Sequence, residues 1–580
     1  MGYLEKYKLW MESEYIDSAS KDELKGLSDQ KEIEDRFYKD LEFGTGGLRG
    51  IIAAGDNRMN KYTVGKSTQG LADYLNSKYK DNISVCIAHD SRIMSREFSE
   101  ISSTVLCANG IKVYLYDSLR PTPMLSFAVR QLQCKAGIVI TASHNPKQYN
   151  GYKVYGEDGG QVTDDSAMSI LSFIEAIEDF SRIKSMDMES ALNTGLLSII
   201  GEDVDKLYYE KVKALTVRKA LVKEKAGDLK VIYTPVHGSG NIPVRRVLKE
   251  LGYNNVYVVA EQEMPDGNFP TAPYPNPEDP AVFNKAREMA ADIKPDIIFG
   301  TDPDCDRIGV EVRTSNEEYL HLTGNQIGIL LTEYLLNSMK EENKLPKDGF
   351  IVKTIVTTGL VEAIAKEYSV KNIDVLTGFK YIGEKIKEIH DTGVGSFIFG
   401  FEESYGYLSG DFVRDKDAVI AAELICEMAL YYKNKGMNLY EGLNLIYSNY
   451  GFNREKLISI DLAGREGQEK IKNSLQYLRH SMNCCLGGMR IVKKLDYKLG
   501  IEKDLVEFTE RKIELPSSNV LKFIMKDGSW FVVRPSGTEP KMKVYLSVTG
   551  KNSNDSQEKL DVFEKLVMDI INDSCSCYKK

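Results

Sequence analysis

The stretch Thr141-Ala142-Ser143-His144-Asn145-Pro146 sets a hydroxyl, an imidazole and a carboxamide side by side. It follows the apolar run Ala136–Ile140, which reads as a buried strand. Pro146 then prevents the chain from continuing as strand or helix. A serine in the loop at the C-terminal end of a strand sits where α/β proteins place their chemistry. A polar turn has the same composition, so Ser143 gains meaning only from what faces it.

Asp302, Asp304 and Asp306 alternate through Gly300-Thr301-Asp302-Pro303-Asp304-Cys305-Asp306-Arg307. Carboxylates this close repel unless a cation joins them, and an all-oxygen set favours Mg²⁺ or Ca²⁺. An EF-hand is excluded: its glycine and its glutamate would fall on Arg307 and Arg313. Three carboxylates leave coordination positions open, which Mg²⁺ commonly fills with a phosphate oxygen. Further on, Glu402, Glu403 and Ser404 offer hydrogen bonds suited to sugar hydroxyls. Adjacent carboxylates cannot readily flank one bond, which argues against a glycoside hydrolase. Arg534, Ser536 and Thr538 around Gly537 combine a guanidinium, two hydroxyls and a free backbone, a phosphate-binding set, with Lys541 and Lys543 close behind.

Smaller signals fit beside these. His144 and Lys153 are the groups near Ser143 that can move protons. Thr141 and Asn145 stand where a nucleophile elbow needs glycine, so a serine hydrolase is not indicated. In Phe43–Gly50, glycines at 44, 46, 47 and 50 let backbone approach a ligand, and Arg49 offers a fork for phosphate. Gly65-Lys66-Ser67 looks like the end of a P-loop, but the motif's first glycine would be Asn60. A nucleophile, a divalent-metal loop, a sugar-contact loop and a phosphate clamp are all needed by one reaction, phosphoryl transfer on a phosphosugar.

These residues need elements to position them. At 580 residues the chain is long enough for roughly three to five domains. From Ser84 a layout occurs three times, in which a third apolar strand ends in a polar loop. The strands are Ser84–Ala88, Ile111–Tyr116 and Ala136–Ile140; then Leu229–Tyr233, Asn255–Val259 and Asp296–Phe299; then Phe350–Ile355, Ile373–Leu376 and Ser396–Phe399. The helical stretches Ile242–Gly252 and Leu360–Tyr368 separate strands. Residues 1 to about 40 read as helical, with Leu4, Tyr7, Leu9, Trp10 and Tyr15 as a candidate apolar face. The last segment lacks the layout and carries a helix over Gln468–Met482. The expected domains are 1–205 with the serine loop, 206–320 with the metal loop, 321–450 with the sugar loop, and an α+β domain over 451–580.

Composition narrows the classes. A net charge of −10 argues against non-specific nucleic-acid binding. Nine cysteines, dispersed and without a CxxC pair, read as reduced thiols, with Cys575 and Cys577 near the end. The first residues have no apolar core of a signal peptide, Lys6 fails the myristoylation pattern, and no apolar run is long enough to span a membrane. A cytoplasmic protein that does not engage membranes is expected.

The phrases TASHNP, GTDPDCDR, GFEESYG and RPSGTEP, in that order along nearly the whole chain, resemble the α-D-phosphohexomutases of the phosphoglucomutase/phosphomannomutase superfamily. FGTGGLRG, SHNPKQYNGYKVY, TGFKYIGEKI and YGYLSGDFVRDKDAV are most similar to its bacterial α-phosphoglucomutase branch, related to phosphopentomutases. The resemblance implies an α/β fold: three topologically similar α/β domains plus a C-terminal α+β domain around a central cleft. It implies that Ser143 carries a phosphoryl group and that Asp302, Asp304 and Asp306 hold Mg²⁺ together with it, beside Arg307. Glu402 and Ser404 would hold sugar hydroxyls with Lys380 close by. Arg534, Ser536, Gly537 and Thr538 would clamp the non-reacting phosphate, and Arg49, His144 and Lys153 would assist proton transfer and charge stabilisation. Cys305 stands where the family often has alanine. The implied activity interconverts glucose 1-phosphate and glucose 6-phosphate through glucose 1,6-bisphosphate, in a monomer or homodimer. Mannose or pentose phosphates as substrates, a phosphatase on the same serine, and a non-catalytic sugar-phosphate sensor are the alternatives.

Overall fold

The computed structural model describes residues 2–44, 46–462, 464–482, 485–535 and 541–576. The chain folds into two compact units, one of residues 1–351 with 379–440, the other of residues 352–378 with 441–580.

In the first unit, one sheet contains β1 (Gly47–Ile51), β2 (Ser84–His89), β3 (Lys112–Tyr116), β4 (Ala136–Ile140), β5 (Tyr149–Gly156) and β6 (Leu197–Ile200), in the order β1-β5-β4-β2-β3-β6. Strands β2, β3, β4 and β6 run parallel, while β5 is antiparallel to both β4 and β1. Every residue of β2 and β4 is buried, which is why these strands read as unbroken apolar runs rather than alternating ones. A second sheet, in the order β11-β10-β9-β7-β8, contains β7 (Val231–Thr234), β8 (Val256–Val258), β9 (Ile297–Thr301), β10 (Ile308–Arg313) and β11 (Tyr319–His321). The third set, β12 (Gly349–Thr354), β13 (Lys371–Val375), β14 (Ser396–Glu402) and β15 (Gly406–Ser409), follows the same order along the chain. Its β14–β15 hairpin lies in the first unit.

The threefold layout is therefore present, with one addition. In each copy the chain does not leave the sheet after the polar loop but returns as an antiparallel strand: β5 after β4, β10 after β9, β15 after β14. β4 ends at Ile140, and β5 begins at Tyr149, three residues after Pro146. These return strands escape an apolar search because Asn150, Gly151 and Lys153, or Glu311, interrupt them. Glu402 is likewise on a strand and not in a loop. Its pairing with Gly406 carries the ladder to a three-residue turn.

The helices have local causes. Asn60 caps the helix Lys61–Lys78, its side chain accepting from Tyr62 N and Thr63 N. Gly65, Lys66 and Ser67 lie inside that helix, consistent with their rejection as a P-loop. The N-terminal segment forms helices Tyr3–Glu12, Ser18–Lys25 and Gln30–Phe37. Only part of the expected apolar face is buried: Leu4, Leu9 and Tyr15 are exposed. Tyr7 and Trp10, the two members of it one turn apart, pack on Phe37, and Trp10 also meets Tyr62 and Phe180 edge-on. No helix among the described residues is long and apolar enough to cross a membrane.

The second unit is built on an antiparallel sheet ordered β16-β23-β22-β21-β18-β19-β20. Its strands are β16 (Phe452–Asp461), β17 (Cys485–Leu486, paired with β18), β18 (Met489–Asp496), β19 (Ile501–Asp504), β20 (Thr509–Lys512), β21 (Leu521–Met525), β22 (Trp530–Pro535) and β23 (Lys541–Gly550). Helices Gly464–Ser481 and Ser553–Ser576 complete it. Leu475, Leu478, Phe523, Phe531, Phe563 and Val567 share its core. The parallel units and this antiparallel one agree with an α/β chain ending in an α+β domain.

Gly151 is where β5 runs too close to its neighbours for any side chain. A methyl there would lie 2.5 Å from Thr141 O, just past β4, and 2.8 Å from Leu48 O on β1. Gly151→Ala is expected to cost about 1 to 3 kcal/mol, read as a lowered urea midpoint. An unchanged midpoint would contradict this packing.

Candidate active site

Each β-hairpin of the repeat turns through one non-glycine residue in the left-handed region: Ser143 (φ 52°), Cys305 (φ 52°) and Tyr405 (φ 65°). Such a residue costs about 1 to 3 kcal/mol, which the surrounding contacts must offset. At Ser143 the N–H donates to Thr141 Oγ1 at 2.8 Å, and Thr141 Oγ1 in turn donates to Asp90 at 2.6 Å. Ser143 Oγ is thereby aimed at the second sheet. It donates to Asp302 Oδ2 at 2.8 Å and lies 3.1 Å from His144 Nδ1.

Asp302, Asp304 and Asp306 are completely buried, and one oxygen from each lies within 4.8 Å of the others. Asp302 Oδ1 accepts from the N–H groups of Asp306 and Arg307, both at 3.0 Å. Lys153, on β5, reaches Asp304 at 2.8 Å and Asp306 at 3.4 Å, while Lys416 reaches Asp306 at 2.9 Å. Thr122 donates twice to Asp304, from its N–H to the carbonyl at 2.9 Å and from Oγ1 to Oδ2 at 3.0 Å. After all these bonds Asp304 Oδ1 and Asp306 Oδ1 remain buried with no hydrogen-bond partner. Two orphaned carboxylate oxygens in an all-oxygen cluster are what a hard divalent cation satisfies, so the residues fit a metal centre.

The electrostatics follow from burial. Burial, then the charges of Asp304 and Asp306, push the Asp302 carboxyl well above its ordinary range. Burial acts on Asp304 in the same direction, but the Lys153 ammonium overcomes it and holds that carboxyl below its ordinary value. Lys153 loses solvation too, yet Asp304 and Asp306 raise it, so it stays cationic. Burial, aided by Arg307 and Arg49, depresses the His144 imidazole well below its ordinary value and keeps it neutral.

The other expected residues fall into three groups. Arg49, on β1, donates to Asn145 Oδ1 at 3.0 Å and so lies on the serine loop. Arg307 pairs with Glu278 at 2.7 Å. Glu402 is buried, and its carboxyl is raised by burial against the opposing pull of Lys416 and Arg307. Lys380 is held elsewhere, 2.6 Å from Asp164, and among the described residues no contact joins it to the Asp loop. Arg534 belongs to the second unit, where it donates to Thr377 Oγ1 of the Thr377-Gly378 phrase. Ser536, Gly537 and Thr538 lie outside the described residues.

Lys416 and Thr122 were not singled out from the sequence. Lys416 had a signal, since Arg414-Asp415-Lys416-Asp417 is a charge run leading directly into the apolar helix Ala418–Asn434. All four turn inward: Asp415 accepts from Tyr155 Oη at 2.8 Å and Asp417 from Tyr208 Oη at 2.7 Å. Thr122, between two prolines at a helix start, carried none.

Known proteins match along this whole arrangement. Models of the phosphoglucomutase/phosphomannomutase α/β/α domains I, II and III match residues 40–180, 206–315 and 323–450, and that of the family's C-terminal domain matches 493–561. A phosphoglucomutase of Staphylococcus haemolyticus is 38% identical over 540 residues, covering 93% of this chain and 94% of its own length. One of Staphylococcus saprophyticus is 35% identical over 553 residues, covering 95% and 98%. In fold, the pp63/parafusin phosphoglucomutase of Paramecium matches with a TM-score of 0.67 at 17% identity, over 92% of this chain and 96% of its own. With all four domain models matched in order and full-length relatives above a third identical, the chain belongs to the phosphoglucomutase/phosphomannomutase family.

Proposed function

We infer that the chain is a phosphoglucomutase, interconverting glucose 1-phosphate and glucose 6-phosphate. The observation that carries this is Ser143 Oγ held 2.8 Å from a fully buried triple-carboxylate loop, in a chain whose relatives are phosphoglucomutases. Ser143 is the phosphoryl carrier. The 6-hydroxyl of glucose 1-phosphate attacks the phosphorus of phosphoserine 143. The P–Oγ bond breaks as the P–O6 bond forms, and the hydroxyl proton passes to a base. The resulting glucose 1,6-bisphosphate turns over in the site, its 1-phosphoryl group returns to Ser143 Oγ, O1 takes the proton back, and glucose 6-phosphate leaves.

His144, kept neutral beside Oγ, is the group able to take that proton. Lys153, cationic through Asp304 and Asp306, together with Arg49 and Arg307 offsets charge on the transferring group. When bound to Asp302, Asp304, Asp306 and the phosphoserine, Mg²⁺ supplies Lewis-acid stabilisation of the phosphoryl oxygens. Glu402 and Ser404, with Lys380, hold the sugar hydroxyls, and Arg534, Ser536, Gly537 and Thr538 hold the phosphate that is not being transferred. The domains of this reading are 1–205, 206–320, 321–450 and 451–580, in a cytoplasmic enzyme acting as monomer or homodimer.

Ser143→Ala is expected to abolish mutase turnover with a normal circular dichroism spectrum; near-wild-type rates would end the carrier assignment. Rates on glucose, mannose, ribose and deoxyribose 1-phosphates, with Mg²⁺ and a trace of glucose 1,6-bisphosphate, should rank glucose first. Another sugar ranking first, or release of inorganic phosphate, would redirect the assignment. Asp304→Asn keeps the shape and removes a charge. It is expected to weaken Mn²⁺ binding in calorimetry at least about tenfold and to lower the rate with it. Equal affinity in both proteins would remove the metal from this loop.

A further inference from the structure

Arg92 is completely buried, and Asp90 meets only its Nε, leaving both Nη groups to other partners. Its guanidinium is spent on the backbone of the serine loop. Nη2 donates to the carbonyls of Ser143 and Asn145, and Nη1 to those of Pro146 and Tyr149, both at 3.1 Å. Nε faces Asp90 at 3.3 Å, and Asp90 accepts from Thr141 Oγ1, Ser95 Oγ and the Arg92 N–H. Both backbone groups of Ser143 are therefore tied to this pair, the N–H through Thr141 to Asp90 and the carbonyl directly to Arg92.

The open side of the guanidinium is closed from the second sheet's domain. The Phe269 ring centroid lies 5.0 Å from the guanidinium carbon. Phe269 is itself buried and left-handed, with φ 47°. Gly267 lets this segment come close, since a methyl there would sit 2.5 Å from Ile93 N. The same segment bonds back toward the metal loop. Thr271 is 2.9 Å from His237 Nε2, and Ser239, two residues on, donates to Pro303 O from its N–H at 2.8 Å and its Oγ at 2.9 Å. One bracket thus braces the serine loop and the aspartate loop together.

We propose, on the reading of Ser143 as phosphoryl carrier, that Arg92 is a positioning residue for the transfer step, holding the left-handed Ser143 turn so that Oγ stays in register with Asp302. Every described hydrogen bond of its guanidinium ends on a carbonyl of the loop, so it acts through Ser143 and not on the sugar phosphate. Only a planar fork serves four carbonyls at once. A lysine keeps the charge but not the geometry.

The test compares R92K with wild type in steady-state kinetics on glucose 1-phosphate, with Ser143 phosphorylation followed by mass spectrometry after exposure to glucose 1,6-bisphosphate. Misplacement of a reacting group by about 1 Å costs about 100-fold, so kcat in R92K is expected to fall about 100-fold. KM should stay within about twofold, because the sugar and phosphate contacts are untouched. A kcat within about threefold of wild type, or a loss of kcat/KM residing in KM, overturns the proposal. If R92K fails to fold, Phe269→Leu loosens the same bracket from the other side. It is expected to lower kcat about tenfold at constant KM, and an unchanged kcat overturns the proposal. Wild-type protein that never carries phosphate on Ser143 overturns the carrier reading itself. Phosphoserine in the wild type with undiminished R92K turnover overturns only the role of Arg92.

Discussion

The arrangement depends on the repulsion among Asp302, Asp304 and Asp306. Unit charges 4.8 Å apart repel by about 3 to 4 kcal/mol per pair at an effective dielectric of about 20, and these three are fully buried. Two ammonium groups, two backbone N–H groups and a threonine hydroxyl converge on the loop, and two carboxylate oxygens are still left over. Partial neutralisation by the protein leaves room for a divalent cation to complete it. On the proposed reading, a phosphoserine against Asp302 would add negative charge to an acidic interior, which a cation held by the carboxylates opposite would offset.

The charged groups come from far apart in the chain: Lys153 from one repeat, the aspartates from the next, Lys416 from the segment after the third hairpin. Each lies on, in or just after one copy of the same device, a strand, a turn through a left-handed residue, and an antiparallel return. The turn shapes the backbone while the return strand carries a functional side chain back toward the loop, as β5 does with Lys153. A fold that repeats this hairpin obtains several walls of one site from one structural solution, each wall free to carry a different chemistry. The strained turn residues are tolerated because the neighbouring contacts over-determine them.

Much of this was legible in the residues alone. The parallel strands were, because strands buried on both faces leave unbroken apolar runs; Ala136–Ile140 is found with the bounds expected. The aspartate triplet was legible because alternation in a short loop forces the carboxylates together whatever surrounds them. The return strands were not, since Gly151 and Lys153 answer to close backbone approach and to a distant carboxylate instead of to a periodic pattern. The N-terminal face was only partly legible for a related reason: of its five expected residues Tyr7 and Trp10 pack, against Phe37 and Tyr62, partners that the helix's own spacing does not reveal.

Residue types and order determined the chemistry on offer: a hydroxyl, three carboxylates, a run of hydrogen-bonding groups at Glu402–Ser404 and a basic glycine loop, with the α/β repeat to carry them. Tertiary structure alone decided which groups meet. It aimed Ser143 at Asp302 across 159 residues of chain, set Lys416 against Asp306, turned Arg92 onto the serine loop, and placed Lys380 against Asp164. The reason is physical. Hydrophobic periodicity is written locally and survives in sequence, whereas the pairing of buried charges is a long-range balance that exists only once the chain has closed around them.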